Sequence, residues 1–182
     1  MRCYHFGNYY MSSIQQGIQA AHAQMSLFVK YREISIDYDE TNPTIEEIEY
    51  QNAVDDLYDW AMYHRTMICL NAGNNKQLRE VRNLFQCKEN KFPWTEFYED
   101  EESLNGILTN VCIVVPEYIY ENAAKIRSGE YMLCADTVLE KPIKEFLTIG
   151  CSPALQTPNT VMKLSEFEIK LIQLLNSCQL AR

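Results

Sequence analysis

The sequence predicts an α/β fold: a small mixed β-sheet flanked by helices, followed by a mainly helical C-terminal extension. From residue 2 to residue 127, extended apolar or aromatic runs alternate with amphipathic helical patterns, and such alternation is typical of α/β folds. The chain has 182 residues, 47% of them hydrophobic, so it can bury a core without help from a metal or a disulfide. We expect an α/β domain over residues 1–128 and the extension, packed on it, over residues 129–182.

Four runs are predicted to form the strands of the sheet. Residues 2–10 are rich in aromatic side chains, and residues 66–70 (TMICL) form an almost wholly apolar run that is typical of a central strand. Residues 92–99 follow the same extended pattern, and residues 108–115 (LTNVCIVV) are the clearest candidate for a buried strand. A shorter run, residues 32–38, is expected to be a strand or an extended edge.

The first predicted helix carries the most detailed signals. It begins at Ser12, which can cap it, with Gln15 at the reciprocal position of a capping box, and it runs to about Lys30. Apolar residues recur along it with helical spacing, which predicts that they face the core: Ile14, Ile18, Ala21, Met25 and Phe28.

The other predicted helices are less sharply delimited. In the α/β domain they are expected at about 44–63, 75–87 and 117–127. In the extension we expect a strongly amphipathic helix over 164–178, a candidate helix over 141–148 and a proline-containing loop over 150–159.

The charge and the cysteine content exclude several classes of protein. Acidic residues outnumber basic ones by 25 to 16, giving a formal charge of −9, whereas proteins that grip a phosphate backbone usually carry a basic face. The 7 cysteines are widely spaced without a CxxC pair, and the 3 histidines are scattered, so we expect reduced thiols, no metal site and no cofactor. The sequence does not begin like a signal peptide, and no apolar run is long enough to span a membrane. These features predict a cytoplasmic protein that does not contact a membrane.

Two segments carry polar side chains that could build a site. Along the first helix, Gln15, Gln19, His22 and Ser26 recur at helical spacing on the flank of the apolar stripe. These residues either mark the boundary of the buried face or form one wall of a polar cleft.

The second segment, WTEFYEDEESLNGILT, ends one predicted strand and begins the next. Its acidic residues are either a solvated turn or part of a site. Glu99 falls where the end of a strand would present it, shortly before a tight-turn signal at Asn105. A histidine on a helix and a carboxylate at an adjacent strand end form a workable acid–base pair, which makes His22 and Glu99 the candidate catalytic residues.

The segments MSSIQQGIQAAHA (residues 11–23) and WTEFYEDEESLNGILTNVCIVVP (residues 94–116) resemble the peptidyl-tRNA hydrolases of the archaeal and eukaryotic type. That family has a glutamine and an AHA-like triplet on its first helix, and the W..F.E..LNG.LTN pattern is closer still to a bacterial and phage branch. The resemblance covers about residues 2–127 and implies a peptidyl-tRNA-hydrolase-like fold. It implicates four residues of this chain: Gln19, His22, Glu99 and Thr109.

The sequence departs from that family in two places. Ser12, Ser13 and Gln15 stand where the family carries lysines, which would hold the phosphates of the tRNA acceptor end. Acidic residues around Glu99 replace the family's Asp-Ala-Gly turn.

The first function that follows is hydrolysis of the ester between a peptide and tRNA, with the tRNA acceptor end as partner. The resemblance implies that His22 acts as the base and that Glu99 orients it, since ester hydrolysis needs an activated water and donors for the developing oxyanion. The candidate substrate-binding residues are Ser12, Ser13, Gln15, Gln19, Asn105 and Thr109.

The alternative is a non-catalytic descendant of the same fold. It would bind a small nucleotide-like ligand or a basic protein partner, and the acidic charge suits the second of these. A phage protein that counters a host function in the host cytoplasm is one instance. A homodimer is one candidate assembly.

Overall fold

A computed structural model describes residues 1–34, 43–140 and 160–181. Two compact units are present: Met1–Glu117 with Ser177–Arg182, and Tyr118–Asn176. The predicted domain boundary at residue 128 lies inside the second unit, at the end of a helix.

The described ranges hold eight strands and six α-helices. The strands are β1 (Arg2–Gly7), β2 (Met67–Asn71), β3 (Trp94–Tyr98), β4 (Leu108–Val115), β5 (Tyr131–Cys134), β6 (Thr137–Glu140), β7 (Thr160–Lys163) and β8 (Gln179–Leu180). The helices are α1 (Ser13–Ile34), α2 (Ile45–Asp59), α3 (Asn75–Phe85), α4 (Glu101–Leu104), α5 (Glu117–Ser128) and α6 (Glu166–Ser177), and α2 continues as a π-helical segment, Trp60–His64.

The first unit is built on a five-stranded sheet in the order β3-β4-β1-β2-β8. β1 and β2 are parallel, whereas the β3–β4, β1–β4 and β2–β8 pairs are antiparallel, so the sheet is mixed as predicted. β4 is buried along its whole length, which confirms the prediction for residues 108–115. β1 is shorter than predicted and ends at Gly7.

Helices cover both faces of this sheet. Cys3 and Cys112 on one face pack with Leu27 of α1 and with Leu57 of α2 in a buried apolar cluster. On the other face, Phe6 meets the ring of Phe85 of α3 edge-on, with 5.5 Å between the ring centroids. The two faces are called below the α1 face and the α3 face.

The predicted core stripe of α1 is wrong except at Phe28, which is half-buried and packs against the core. Ile14 and Met25 are 76% and 66% exposed, and Ile18 is also exposed. The buried stripe instead consists of Gln16, Gln19, Ala20, Ala23, Leu27 and Tyr31. The physical reason is that alanines allow the helix to lie close to the sheet, while the Gln19 side chain bonds to Thr109 of β4 and to Glu99. The buried Gln16 amide donates instead to the carbonyl of Met11, just before the helix.

The first turn of α1 follows the prediction closely. The Ser12 hydroxyl accepts a hydrogen bond from the Gln15 backbone N–H at 3.3 Å, and the Gln15 side-chain oxygen accepts one from the Ser12 N–H at 2.9 Å. This is the reciprocal pair of a capping box. The helix ends later than predicted, because residues 32–34 continue α1 rather than starting a strand. The rest of the predicted strand at 32–38 lies outside the described residues.

The structure also corrects the prediction that the C-terminal extension is mainly helical. Residues 131–140 form an antiparallel hairpin, β5–β6, and β7 pairs with β6 to complete a three-stranded sheet. The sequence lacks the usual turn signal for this hairpin, because Ala135 rather than glycine or asparagine occupies the left-handed conformation of the turn, with φ 51°. The predicted helix over 164–178 is confirmed as α6, whereas the predictions for 141–148 and 150–159 lie outside the described residues.

All cysteines within the described ranges are free thiols, as expected. No helix in those ranges combines the length with the apolar character needed to cross a lipid bilayer.

Candidate functional site

The candidate site lies at one edge of the five-stranded sheet. β1, β2 and β3 all point their carboxyl ends toward this edge, because β1 is parallel to β2 and both β1 and β3 are antiparallel to β4. After β1 the chain enters α1 on one face, and after β2 it enters α3 on the other. In open α/β sheets, ligands bind in the crevice at such a reversal of connections.

A β-bulge places Thr109 at this edge. Phe97 of β3 pairs with Asn110 of β4, and the next residue, Tyr98, pairs with Leu108, so Thr109 is the extra residue of β4. A bulge breaks the alternation of side chains along a strand and re-aims one of them. Here it directs the Thr109 hydroxyl toward α1, where it meets Gln19.

Three of the predicted site residues form a continuous hydrogen-bonded chain, called here the polar chain: Thr109, Gln19 and Glu99. The Thr109 hydroxyl donates to the Gln19 side-chain oxygen at 2.9 Å, and the Gln19 amide nitrogen donates to the Glu99 carboxylate. Thr109 and Gln19 are buried, while Glu99 is half-buried. The chain therefore leads from the interior to the surface and ends in a carboxylate held in one orientation.

Backbone contacts fix the position of Glu99. Its N–H donates to the carbonyl of Ile107 at 3.1 Å, across the turn that joins β3 to β4. Within that turn, Asn105 ends α4 in the left-handed conformation, with φ 53°, and its side chain is exposed. The predicted tight turn at Asn105 is present, and it brings Glu99 back over the beginning of β4.

His22 lies one helical turn beyond Gln19, and its side chain is exposed. Its ring meets the ring of Phe97 edge-on, with 5.0 Å between the centroids. Among the described residues, Glu99 is hydrogen-bonded to Gln19 and no hydrogen bond joins it to His22. The structure therefore places the two candidate catalytic residues on neighbouring elements without a direct bond between them.

The remaining predicted binding residues lie at the beginning of α1. Ser12 and Gln15 bond to each other in the capping box, and Ser13 is the first residue of the helix. All three side chains are exposed, and the first turn carries no acidic residue.

Sequence reasoning missed a second polar group on the α1 face, and we call it the thiol–imidazole cluster: Cys3, His5 and Cys112. The three side chains are fully buried, and their sulfur and nitrogen atoms lie within 4.8 Å of one another. Burial lowers the pKa of His5 to about 4, so its imidazole is neutral at neutral pH. The only sequence signal was the Cys-x-His alternation in β1, which points both side chains to one face of a strand.

Comparisons with protein-family models, with curated proteins and with solved structures find no match to this chain. The fold and the site therefore define a class by their own features. It is a mixed α/β protein with a buried polar chain at the carboxyl edge of its sheet and an exposed histidine on the adjoining helix.

Proposed function

We propose that the protein is a peptidyl-tRNA-hydrolase-like ester hydrolase whose site is the polar chain together with His22. The observation that carries the proposal is the bonding of Thr109, Gln19 and Glu99 to one another. The family resemblance selected these residues from separate parts of the sequence. The element order from β1 to β4 also agrees with the order that the resemblance implies.

In the proposed reaction, His22 takes a proton from a water molecule as that water attacks the carbonyl carbon of the ester. The carbonyl oxygen becomes an oxyanion, and the ribose oxygen leaves with the proton from the His22 imidazolium. Glu99 holds the water and the imidazolium by its negative charge. Gln19 keeps the carboxylate in place, and its second amide hydrogen is a candidate donor to the oxyanion.

The experiment measures the release of labelled peptide from peptidyl-tRNA by the wild type and by three variants. We expect His22→Ala and Glu99→Gln each to lower kcat/KM by about 10²- to 10⁴-fold, the usual contribution of a positioned acid or base. Glu102→Gln is the matched control, because Glu102 is an exposed carboxylate in the same turn. It should leave the rate unchanged.

Two results would count against this proposal in different ways. A wild type that releases no peptide would contradict the esterase function. Release that survives both His22→Ala and Glu99→Gln would leave the activity standing and contradict the site.

A second candidate function is ligand binding without catalysis, and the charge distribution favours it. The exposed side chains of Glu101 and Glu102 lie beside Glu99, and the chain carries a net charge of −9. No lysine stands at the beginning of α1, so a tRNA phosphate would meet repulsion without a compensating cation.

Titration with fluorescent tRNA and with a fluorescent lysine-rich peptide separates the two candidates. An esterase should bind the tRNA, and more tightly as salt is lowered. A binding protein for basic partners should take up the peptide instead, and Glu101→Gln with Glu102→Gln should weaken that binding.

A further inference from the structure

The thiol–imidazole cluster brings together side-chain types that bind soft metal ions. Cys3 and His5 come from β1 and Cys112 from β4, where it is the direct cross-strand partner of His5. All three side chains are fully buried on the α1 face. Thiolate sulfur and neutral imidazole nitrogen are the ligands of Zn²⁺ and of other thiophilic ions.

A hydrogen bond that His5 donates to Asn110 orients the imidazole. The Nδ1 atom of His5 lies 3.3 Å from the side-chain oxygen of Asn110, and this oxygen can only accept a hydrogen bond. The proton of the neutral ring is therefore on Nδ1, and the lone pair on Nε2 is directed at the Cys3 sulfur, 3.3 Å away. Metal-binding histidines are held in the same way, by a hydrogen bond from the ring nitrogen that does not bind the metal.

The three ligand atoms are close enough to share one ion after a small movement of side chains. With Zn–S and Zn–N bonds of usual length at tetrahedral angles, the sulfur–nitrogen distance is about 3.6 Å and the sulfur–sulfur distance about 3.8 Å. The Cys3–His5 distance of 3.3 Å is close to the first value, and all three ligand atoms fall within 4.8 Å of one another. The Cys112 sulfur, at up to 4.8 Å from the others, would have to approach them by up to about 1 Å to share the ion.

We propose that Cys3, His5 and Cys112 bind a soft d¹⁰ metal ion, Zn²⁺ or Cu⁺, in the core of the sheet. Two thiolates and a neutral imidazole offset the charge of Zn²⁺, so that the loaded site carries no net charge into an apolar environment. Cu⁺ is satisfied by two or three soft ligands and would keep one thiol protonated. The surrounding side chains, among them Leu27 and Trp60, exclude water from the ion.

Cys69 is the fourth soft side chain in this region. It pairs with His5 across the β1–β2 ladder. Cys69 is only half-buried. A tetrahedral Zn²⁺ site could recruit it, whereas a three-coordinate Cu⁺ site would not need it.

The test titrates the full chain, reduced and freed of metal, with Zn²⁺ against a chromophoric chelator and separately with Cu⁺. One equivalent of either ion should bind, and Cys3→Ser and Cys112→Ser should each abolish this equivalent. Asn110→Leu should weaken binding by about 10- to 100-fold, since it removes the group that orients His5. Cys134→Ser is the matched control, because Cys134 is an exposed thiol of the second unit, and it should bind like the wild type.

X-ray absorption of the loaded wild type keeps the proposal testable if the variants fail to fold. Two sulfurs at about 2.3 Å and one nitrogen at about 2.0 Å around zinc would support it, and a third sulfur would identify Cys69 as a ligand. The proposal is overturned if the wild type binds neither ion, if Cys112→Ser folds and still binds an equivalent, or if the absorption spectrum shows only oxygen and nitrogen ligands.

Discussion

Replacing Thr109 by valine removes one hydroxyl from the interior and leaves the shape of the side chain almost unchanged. Thr109 is 2% exposed and donates to the Gln19 side-chain oxygen at 2.9 Å, so the variant leaves a buried carbonyl without this donor. A buried polar group that loses its partner costs about 1–3 kcal/mol, and the extra valine methyl returns about 0.8 kcal/mol. We expect the free energy of unfolding of the first unit to fall by about 0.2–2 kcal/mol.

Tryptophan fluorescence during urea unfolding is the appropriate measurement. The chain has 2 tryptophans, Trp60 and Trp94, and both lie in the first unit, so the signal follows that unit alone. The same substitution is then made in a Gln19→Leu background. There the Gln19 carbonyl is absent and only the longer bond from the Thr109 hydroxyl to the Phe97 carbonyl, at 3.3 Å, is lost, so we expect Thr109→Val to cost less than in the wild type.

Thr109→Ser is the matched control, because it keeps the hydroxyl and loses only a buried methyl. Its cost of about 1 kcal/mol should be the same in both backgrounds. If Thr109→Val costs as much free energy in the Gln19→Leu background as in the wild type, the hydrogen bond between Thr109 and Gln19 does not stabilise the polar chain.

The remaining predictions concern packing, pH and capping. Leu27→Ala should lower the free energy of unfolding by about 2–5 kcal/mol because Leu27 is fully buried, whereas Ile18→Ala should change it by less than about 0.5 kcal/mol. Equal effects of the two substitutions in urea unfolding would contradict the assignment of the buried face of α1. Burial raises the pKa of Tyr31 from 10.0 to about 12, so the unfolded chain loses this proton first and stability should fall by up to about 3 kcal/mol between pH 10 and 12. Tyr31→Phe should flatten the dependence of the free energy of unfolding on pH between pH 10 and 12. An unchanged pH dependence would show that titration of Tyr31 is not its cause. Asn74→Ala removes the side chain that caps α3 and should cost about 1 kcal/mol, while Asn74→Ser should retain most of the stability; thermal unfolding distinguishes them.

The strands β1 to β4 and the helices α1 to α3 of the first unit could be predicted because each depends on a local signal, whereas β8 and the short helix α4 were not predicted. The apolar run of β4 and the capping box at Ser12 and Gln15 both depend on residues close together in the sequence. The buried face of α1 could not be predicted in this way. Gln16, Ala23 and Leu27 lie on a stripe with helical spacing, but Ile14 and Met25 lie on another that is more apolar. Periodicity alone cannot choose between the two stripes, since the choice depends on which side chains can pack on the sheet and find hydrogen-bond partners there.

The candidate site also combines residues that the sequence identified with residues that it did not. Gln19, Glu99 and Thr109 were selected by the family resemblance, and the structure joins them by hydrogen bonds. Periodicity could not have selected Thr109, because strand alternation would place it and Asn110 on opposite faces. His5 was missed for a different reason. Two of its partners, Asn110 and Cys112, are contributed by β4, and nothing in the sequence near His5 shows that they will lie beside it.

The bulge at Thr109 makes two separate polar groups possible on one face of the sheet. It lets Thr109 and Asn110, which are neighbours in sequence, both point toward α1. Thr109 then bonds Gln19, while Asn110 bonds His5, and the bonds of one group do not pass through the other. Substitutions in the polar chain should therefore leave metal binding unchanged, and substitutions of Asn110 should leave the orientation of Glu99 unchanged. Burying both polar groups does not make the core more stable than apolar side chains would, because every buried polar atom must find a hydrogen-bond partner. Their presence on the same face is the strongest reason to look for function on the α1 face.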